Sequence, residues 1–428
     1  MAGWAPVAPF ALMQQTGSTL TPRSFFTLES THMFPWKSSL SLLATAALLA
    51  ACAQPGGTPA AGVSASQPGA VSAPAVAQQR RAVGQGLYEL AYSPRQNAVF
   101  VASTGGFGAD AAPARILRLD PATLAVQAEI QLPNRGFGVI LDDAANRLYV
   151  GNSSEASITV VDTAANRVSH VITLAEKTVG ADGKAKAPHS FRELVLDTAR
   201  HRLYAPGMSM ADSALYVVDT RSQKVEKVVP GLGQLATGVA LDAAGNRLFV
   251  SNLKGEIAVV DTVGLIVNKT FDSGADQPLN LAFDGATNRL FATDQGLEQI
   301  QQRRQKSEPG YTPRAGNRVI VLDADSGKSL ASLPTGAGPV ALKLDAARQR
   351  LAVTNRGAGT VTLFDSRSYQ LLQTVAAPAH PNSLAQDEAR NVWYVTVKNG
   401  RDAEKGSLES VVRLAPVSYT HLTLPTKR

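Results

Sequence analysis

The sequence predicts an all-β fold, a seven-bladed β-propeller with four antiparallel strands per blade. Three observations carry this. A strand-like word, "NRLYVGN" at Asn146, returns as "NRLFVSN" at Asn246, "NRLFATD" at Asn288 and "QRLAVTN" at Gln349. With its weaker copies it occurs seven times, the position after the leading residue being Ala98, Arg147, Arg202, Arg247, Arg289, Arg350 and Val392. The intervals of 49, 55, 45, 42, 61 and 42 residues, filled with strand signals, suit propeller blades rather than helical repeats.

The segments follow in chain order. Residues 1–32 show no coherent pattern and are expected to be a misassigned upstream extension. From Met33, "MFPWKSSLSLLATAALLAAC" joins one lysine, an apolar run and small residues before Cys52. This reads as a secretory signal over 33–51, too short for a comfortable membrane span. Its end resembles a bacterial lipobox, which would make Cys52 the lipidated N-terminus on the periplasmic side of the outer membrane. As the chain's single cysteine, Cys52 allows no internal disulfide. Residues 53–78 carry no charged side chain and are rich in Ala, Pro, Gly and Ser. Residues 52–78 are therefore expected to be a disordered tether.

The propeller is expected over 79–416, closed by an N-terminal strand, Gln79 to Gly86. The reason is that the seventh repeat has three strand signals and lacks a fourth. Pairing the two ends would remove an exposed sheet edge. Within each repeat the grammar is constant. Around Arg247 it runs "TGVALD", "RLFVSN", "EIAVVDT" and "GLIVNKTFD", with turns between. The Asp closing the third strand (Asp120, Asp162, Asp219, Asp261, Asp323, Asp365) reads as turn chemistry rather than catalysis. The Arg opening the second strand reads as scaffold. Finally, "VSYTHLTLPT" in 417–428 reads as the translation of a sequencing adapter. Removing the net charge of 1–51 and of 417–428 lowers the formal charge from +7 to +4. The high isoelectric point of about 9.5 thus says little about nucleic acid.

"NRLYVGN" and "RLAVTN" resemble the YVTN repeat, and with "GQGLYELAYSP", "FRELVLD", "HPNSLAQ" and "VVRLAP" the chain resembles the YncE-type periplasmic seven-bladed propellers over about 79–416. The resemblance implies an exported binding protein with a link to nucleic acid. The lipobox and an extra loop at Gln295–Gly316 depart from it.

If the first strand of each blade lines the channel, the long insertions Ser103–Arg115, Ala175–His189, Gln295–Asn317 and Asn399–Ser410 all emerge on one face. The same face holds the channel mouth. Its candidate ligand-binding residues are Tyr88, Glu89, Arg135, Phe137, Arg192, Glu193, Gln277, Asn280, His380 and Asn382. They vary from blade to blade, as one asymmetric site requires. No catalytic residue and no cofactor are predicted. The expected role is a non-catalytic, monomeric module for a ligand or protein partner, touching the membrane through its lipid alone. Two alternatives stay open. Glu89, Glu193, Asn280 and Asn382 could hold a divalent cation, as in a metal-dependent, lactonase-like hydrolase. Arg303, Arg304, Lys306, Tyr311 and Arg314 could instead bind single-stranded nucleic acid through phosphate contacts and stacking.

Overall fold

The computed structural model describes residues 77–106, 111–180 and 183–415. Cys52, the segments 1–32 and 33–51, the tether up to residue 76 and the tail 417–428 lie outside the described residues. Within them the chain forms the seven expected blades, each an antiparallel sheet running from channel to rim. Blade 4 is representative: Ala236–Asp242, Arg247–Asn252, Glu256–Asp261 and Ile266–Asp272, paired in that order. The innermost strands pack against one another around the ring. Alternation along the middle strands places apolar side chains on both sheet faces, where only a neighbouring blade can cover them. The core is accordingly divided into seven clusters, each shared by two adjacent blades. Phe249 of blade 4, for instance, packs with Leu281 and Leu290 of blade 5.

Closure occurs as the sequence predicts, with a shift of boundary. The closing strand is Ala77–Gly84 rather than Gln79–Gly86, because its pairing with Glu409–Ala415 extends to Ala77↔Ala415 and ends at Gly84↔Glu409. Gly86, at φ +63, then turns the chain into blade 1, a left-handed conformation that glycine adopts without cost. Blade 7 thus ends in a strand from the other terminus, and no edge is left between first and last blades. This register also sets direction. Gly84 and Glu409 lie at the channel mouth, while Ala77 and Ala415 lie at the opposite face.

Turn chemistry explains the repeated phrase. Its leading residue is Asn97, Asn146, His201, Asn246, Asn288, Gln349 or Asn391, each at φ between 45 and 56. Asn tolerates this left-handed conformation better than most residues. The recurrent Asp is a turn residue in every blade where it occurs. Asp261 Oδ1 accepts the N–H groups of Val263 and Gly264, and Asp120, Asp162, Asp219, Asp323 and Asp365 act alike. The second-strand arginines tie neighbouring blades. Arg147 donates to the Thr220 carbonyl at 3.1 Å and Arg202 to that of Thr262 at 2.6 Å.

Two insertions have structure of their own. The one before blade 3 holds a small hairpin, Thr178–Val179 with Ala185–Lys186. Gln295–Gly316, expected as a loop, carries a ten-residue helix, Glu298–Ser307. No described helix is long and apolar enough to cross a membrane.

Candidate ligand site at the channel mouth

Every innermost strand enters the channel through a break in its ladder. In blade 4 the pairing skips from Ala236↔Asn252 to Val239↔Val250, and equivalent shifts occur at Leu87/Leu90, Gly136/Val139, Pro278/Leu281 and Pro339/Leu342. The skipped residues are the variable pairs that the sequence places at the mouth. A bulge frees them from pairing and re-aims their side chains.

In blades 4 to 7 a hydroxyl from the second strand repairs the break. Ser251, Thr293, Thr354 and Thr396 accept the N–H of Gly238, Asn280, Ala341 and Ser383 at 3.0–3.1 Å. Each also donates to a carbonyl of the next blade: Leu279 at 2.9 Å, Val340 at 3.0 Å, Asn382 at 3.3 Å and Tyr88 at 2.7 Å. Blades 1 to 3 have Ala102, Gly151 and Pro206 at this position and no hydroxyl to offer. There, Glu89 of blade 1 reaches across and accepts the Val139 N–H of blade 2 at 2.9 Å. A side chain on Gly138 would collide with the Arg192 carbonyl, so glycine permits blade 3 to approach.

The carboxyl groups of Glu89 and Glu193 hydrogen-bond one another, and Asn280 Nδ2 donates to Glu193 Oε1 at 2.6 Å. Burial first, then the charge and hydrogen bond of Glu193, hold the Glu89 carboxyl well above the usual carboxylate range; the Val139 N–H and Arg192 only partly oppose this. Glu89 is half-buried, in the innermost strand of blade 1.

Beside this pair is a cationic wall. The Tyr88 ring lies between Phe137, at 3.8 Å between centroids, and Lys398, whose Nζ is 3.8 Å from the ring centre. Lys398 is buried and bonds Glu409 at 3.4 Å; Glu409 also accepts the Leu87 N–H at 2.5 Å. Burial pulls the Lys398 pKa down to about 8, with Glu409 opposing and Arg356 assisting. Arg356 donates to Asn382 Oδ1 at 2.9 Å, and its carbonyl meets His380 Nδ1 at 2.9 Å. Arg192 and Arg356 both act electrostatically on Tyr88 and on each other.

Sequence comparison connects this chain to known proteins. The uncharacterized protein YncE of Salmonella typhimurium is 30% identical over 342 residues, covering 78% of this chain and 90% of that protein. YncE of Escherichia coli O157:H7 is 31% identical with the same coverage. The chain belongs to the YncE family. No protein-family model matches it. Hydrazine synthase of Kuenenia stuttgartiensis resembles it with a TM-score of 0.57 at 14% identity, over 76% of this chain and 94% of that one, a likeness of fold alone.

For this YncE-family chain, the sequence-predicted residues divide into groups. Tyr88, Glu89, Phe137, Arg192, Glu193, Asn280 and Asn382 gather at the mouth. His380 supports Arg356 from behind, and the Arg135 carbonyl receives the Ser153 N–H at 3.0 Å. Gln277 is engaged elsewhere. It is fully buried, and its amide pairs with Leu297, donating at 3.1 Å and accepting at 2.9 Å, which fixes the entry to the inserted helix.

Three of the five proposed nucleic-acid contacts are likewise used internally, around Asp276. Tyr311 donates to Asp276 Oδ1 at 2.6 Å, and Arg304 stacks over Tyr311 at 4.0 Å while bonding the Asp276 carbonyl at 3.0 Å. Arg314 forms a two-pronged pair with Asp272 at 2.5 and 2.6 Å. Arg303 and Lys306 lie on the helix's exposed side.

The four residues considered for a divalent cation do not fit one. Glu89 and Glu193 are hydrogen-bonded to one another, Asn280 turns its amide N–H toward Glu193, Asn382 Oδ1 is taken by Arg356, and Arg192, Arg356 and Lys398 would repel a cation. Among the described residues no three His, Cys, Asp or Glu side chains gather as a metal site. A depression of about 370 Å³ on the opposite face is lined by Asn146, Arg147, Asp162 and His170, of which Arg147 and Asp162 are occupied by blade turns.

Sequence reasoning missed Arg356, Lys398 and Glu409. A signal existed. Arg356 and Lys398 occupy the same place, the first residue after the repeated word, where other blades have Thr104, Ser153, Met208, Leu253 and Gln295.

Proposed function

We propose that this chain is an exported, lipid-anchored propeller that binds a ligand or partner at its channel mouth and performs no chemistry itself. One observation carries the reading. Polar and charged side chains from blades 1, 3, 5, 6 and 7 converge at a single mouth beside the Tyr88–Phe137 pair, while the repeated positions serve only the scaffold. Variable residues on a rigid frame are where binding is usually located. The chain enters the propeller at Ala77, on the face away from the mouth.

The test is a thermal-shift panel of small metabolites on the wild type and on the double variant Glu193→Leu, Asn280→Leu. At least one compound is expected to stabilise the wild type, since a ligand bound only to the folded state raises its stability, and to lose this effect in the variant. Equal shifts in both proteins, or none in either, would sink the reading. Anchoring is tested separately. Cys52→Ala should move the protein from the membrane to the soluble fraction, and unchanged fractionation would remove the lipid.

A further inference from the structure

On the face opposite the mouth, and independently of the mouth reading, we propose that blade 2 carries a second site, which takes the carboxylate of a small organic acid on Arg147. The molecule contains its own example of the bound arrangement. In blade 3 the second-strand arginine, Arg202, donates from Nη1 to the Thr262 carbonyl of the next blade at 2.6 Å, and its Nε and Nη2 hold the two carboxylate oxygens of Glu226 at 2.7 and 2.5 Å. Such a two-pronged pair is the geometry that an arginine fork offers a carboxylate.

Blade 2 repeats this arrangement without the acid. Arg147 donates from Nη1 to the Thr220 carbonyl of the next blade at 3.1 Å, and it acts on Tyr149 as Arg202 acts on Tyr204. Glu226 is the residue skipped between the ladder pairs Val218↔Val225 and Val217↔Lys227. The residue skipped between Val161↔Val168 and Val160↔His170 is Ser169. The two stand in the same bulge of their blades, and Ser169 brings no carboxylate; its hydroxyl donates to the Val160 carbonyl at 3.1 Å. The depression of about 370 Å³ opens at this place, with Arg147, Ser169, His170, Gln223 and Asp162 in its walls. Pockets for small molecules begin near this size, at about 300 Å³. The neighbouring Asp162 does not stand in for the missing acid. It is the ladder partner of Arg147, as Asp219 is of Arg202, and each accepts two turn N–H groups on Oδ1. Arg202 binds Glu226 with Asp219 in that position, so a carboxylate on Arg147 meets a neighbour that the blade 3 pair already tolerates.

The experiment titrates the full chain with glutarate, whose ends match a glutamate side chain, and with glutaramide as its neutral counterpart, followed by ligand-observed NMR. Glutarate should bind and glutaramide should not. Ser169→Glu, which rebuilds the blade 3 pair, and Arg147→Gln should each weaken glutarate binding at least tenfold. Arg350→Gln is the control, since Arg350 opens the second strand of blade 6 beside a bulge that holds Leu372, and it should change binding less than twofold. A second readout needs no ligand. Ser169→Glu should raise Tm, and the rise should vanish when Arg147→Gln is added. Absence of glutarate binding, equal binding to wild type and Ser169→Glu, or a gain in Tm that survives the loss of Arg147 would each overturn the site. None of these variants touches the mouth, so the binding reading proposed there stands or falls by its own test.

Discussion

Blades 4 to 7 and blades 1 to 3 solve the same problem differently. Each must satisfy backbone groups that a bulge releases where the innermost strand enters the channel. Blades 4 to 7 do so with one buried hydroxyl apiece, which serves its own blade and the next. Blades 1 to 3 lack it, and the gap is covered by the reach of Glu89 and the close approach that Gly138 allows. The difference separates scaffold from site. Where the repeat is kept, the mouth is stitched with neutral groups. Where it is broken, titratable carboxyls enter the ring. An unmade hydrogen bond in a buried position is costly, so the loss of a hydroxyl must be answered by another polar group.

The strongest way to break this comparison is Thr396→Val. It strips a donor and an acceptor from fully buried backbone groups at the junction of blades 7 and 1, and should cost about 2–4 kcal/mol in denaturant unfolding. Ala102→Ser, which adds a hydroxyl where none is used, should stay within about 1 kcal/mol. Similar losses in both variants would show that the hydroxyls do not stitch the ring.

Next comes Lys398. Its pKa is depressed to about 8 in the folded protein and ordinary in the unfolded chain. The unfolded state therefore binds more protons above pH 8, and stability should rise with pH from 8 toward 10, by up to about 3 kcal/mol. Lys398→Met should flatten that rise relative to wild type; an unchanged slope would place its origin elsewhere.

Glu89 behaves oppositely. Its raised pKa means that the folded state keeps a proton which the unfolded chain releases, so its contribution is complete in acid and lost as pH rises above about 4.3. Glu89→Gln imitates the protonated form. It should leave stability unchanged near pH 4 and raise it by about 1 kcal/mol at pH 8. A variant less stable at pH 8 would show that the carboxylate charge itself supports the seam.

The smallest effects belong to the far face, where both halves share one turn. Asn146→Gly and Asn246→Gly, at φ 54 and 56, should each change stability by only about 0.5 kcal/mol and by the same amount. Unequal effects would mean that the asymmetry extends through the whole ring.

Blade number, strand order, the turn role of the aspartates and closure by the N-terminal strand were all legible from residues 79–416 alone. Each is encoded within a few residues and then repeated, so a period reveals it. The inserted helix was not legible, because Glu298–Ser307 buries only Ile300 and has no apolar periodicity. A polar network around Asp276 holds it. The variable pairs at the bulges pointed to the mouth, yet not to its cations. Lys398 lies against Tyr88 across 310 positions of chain, and Arg356 meets both only when the ring closes. Local sequence determines a blade because strand and turn preferences act over a few residues. The charge gathered at the mouth was decided by closure, because electrostatic neighbours in a ring are set by distance through space.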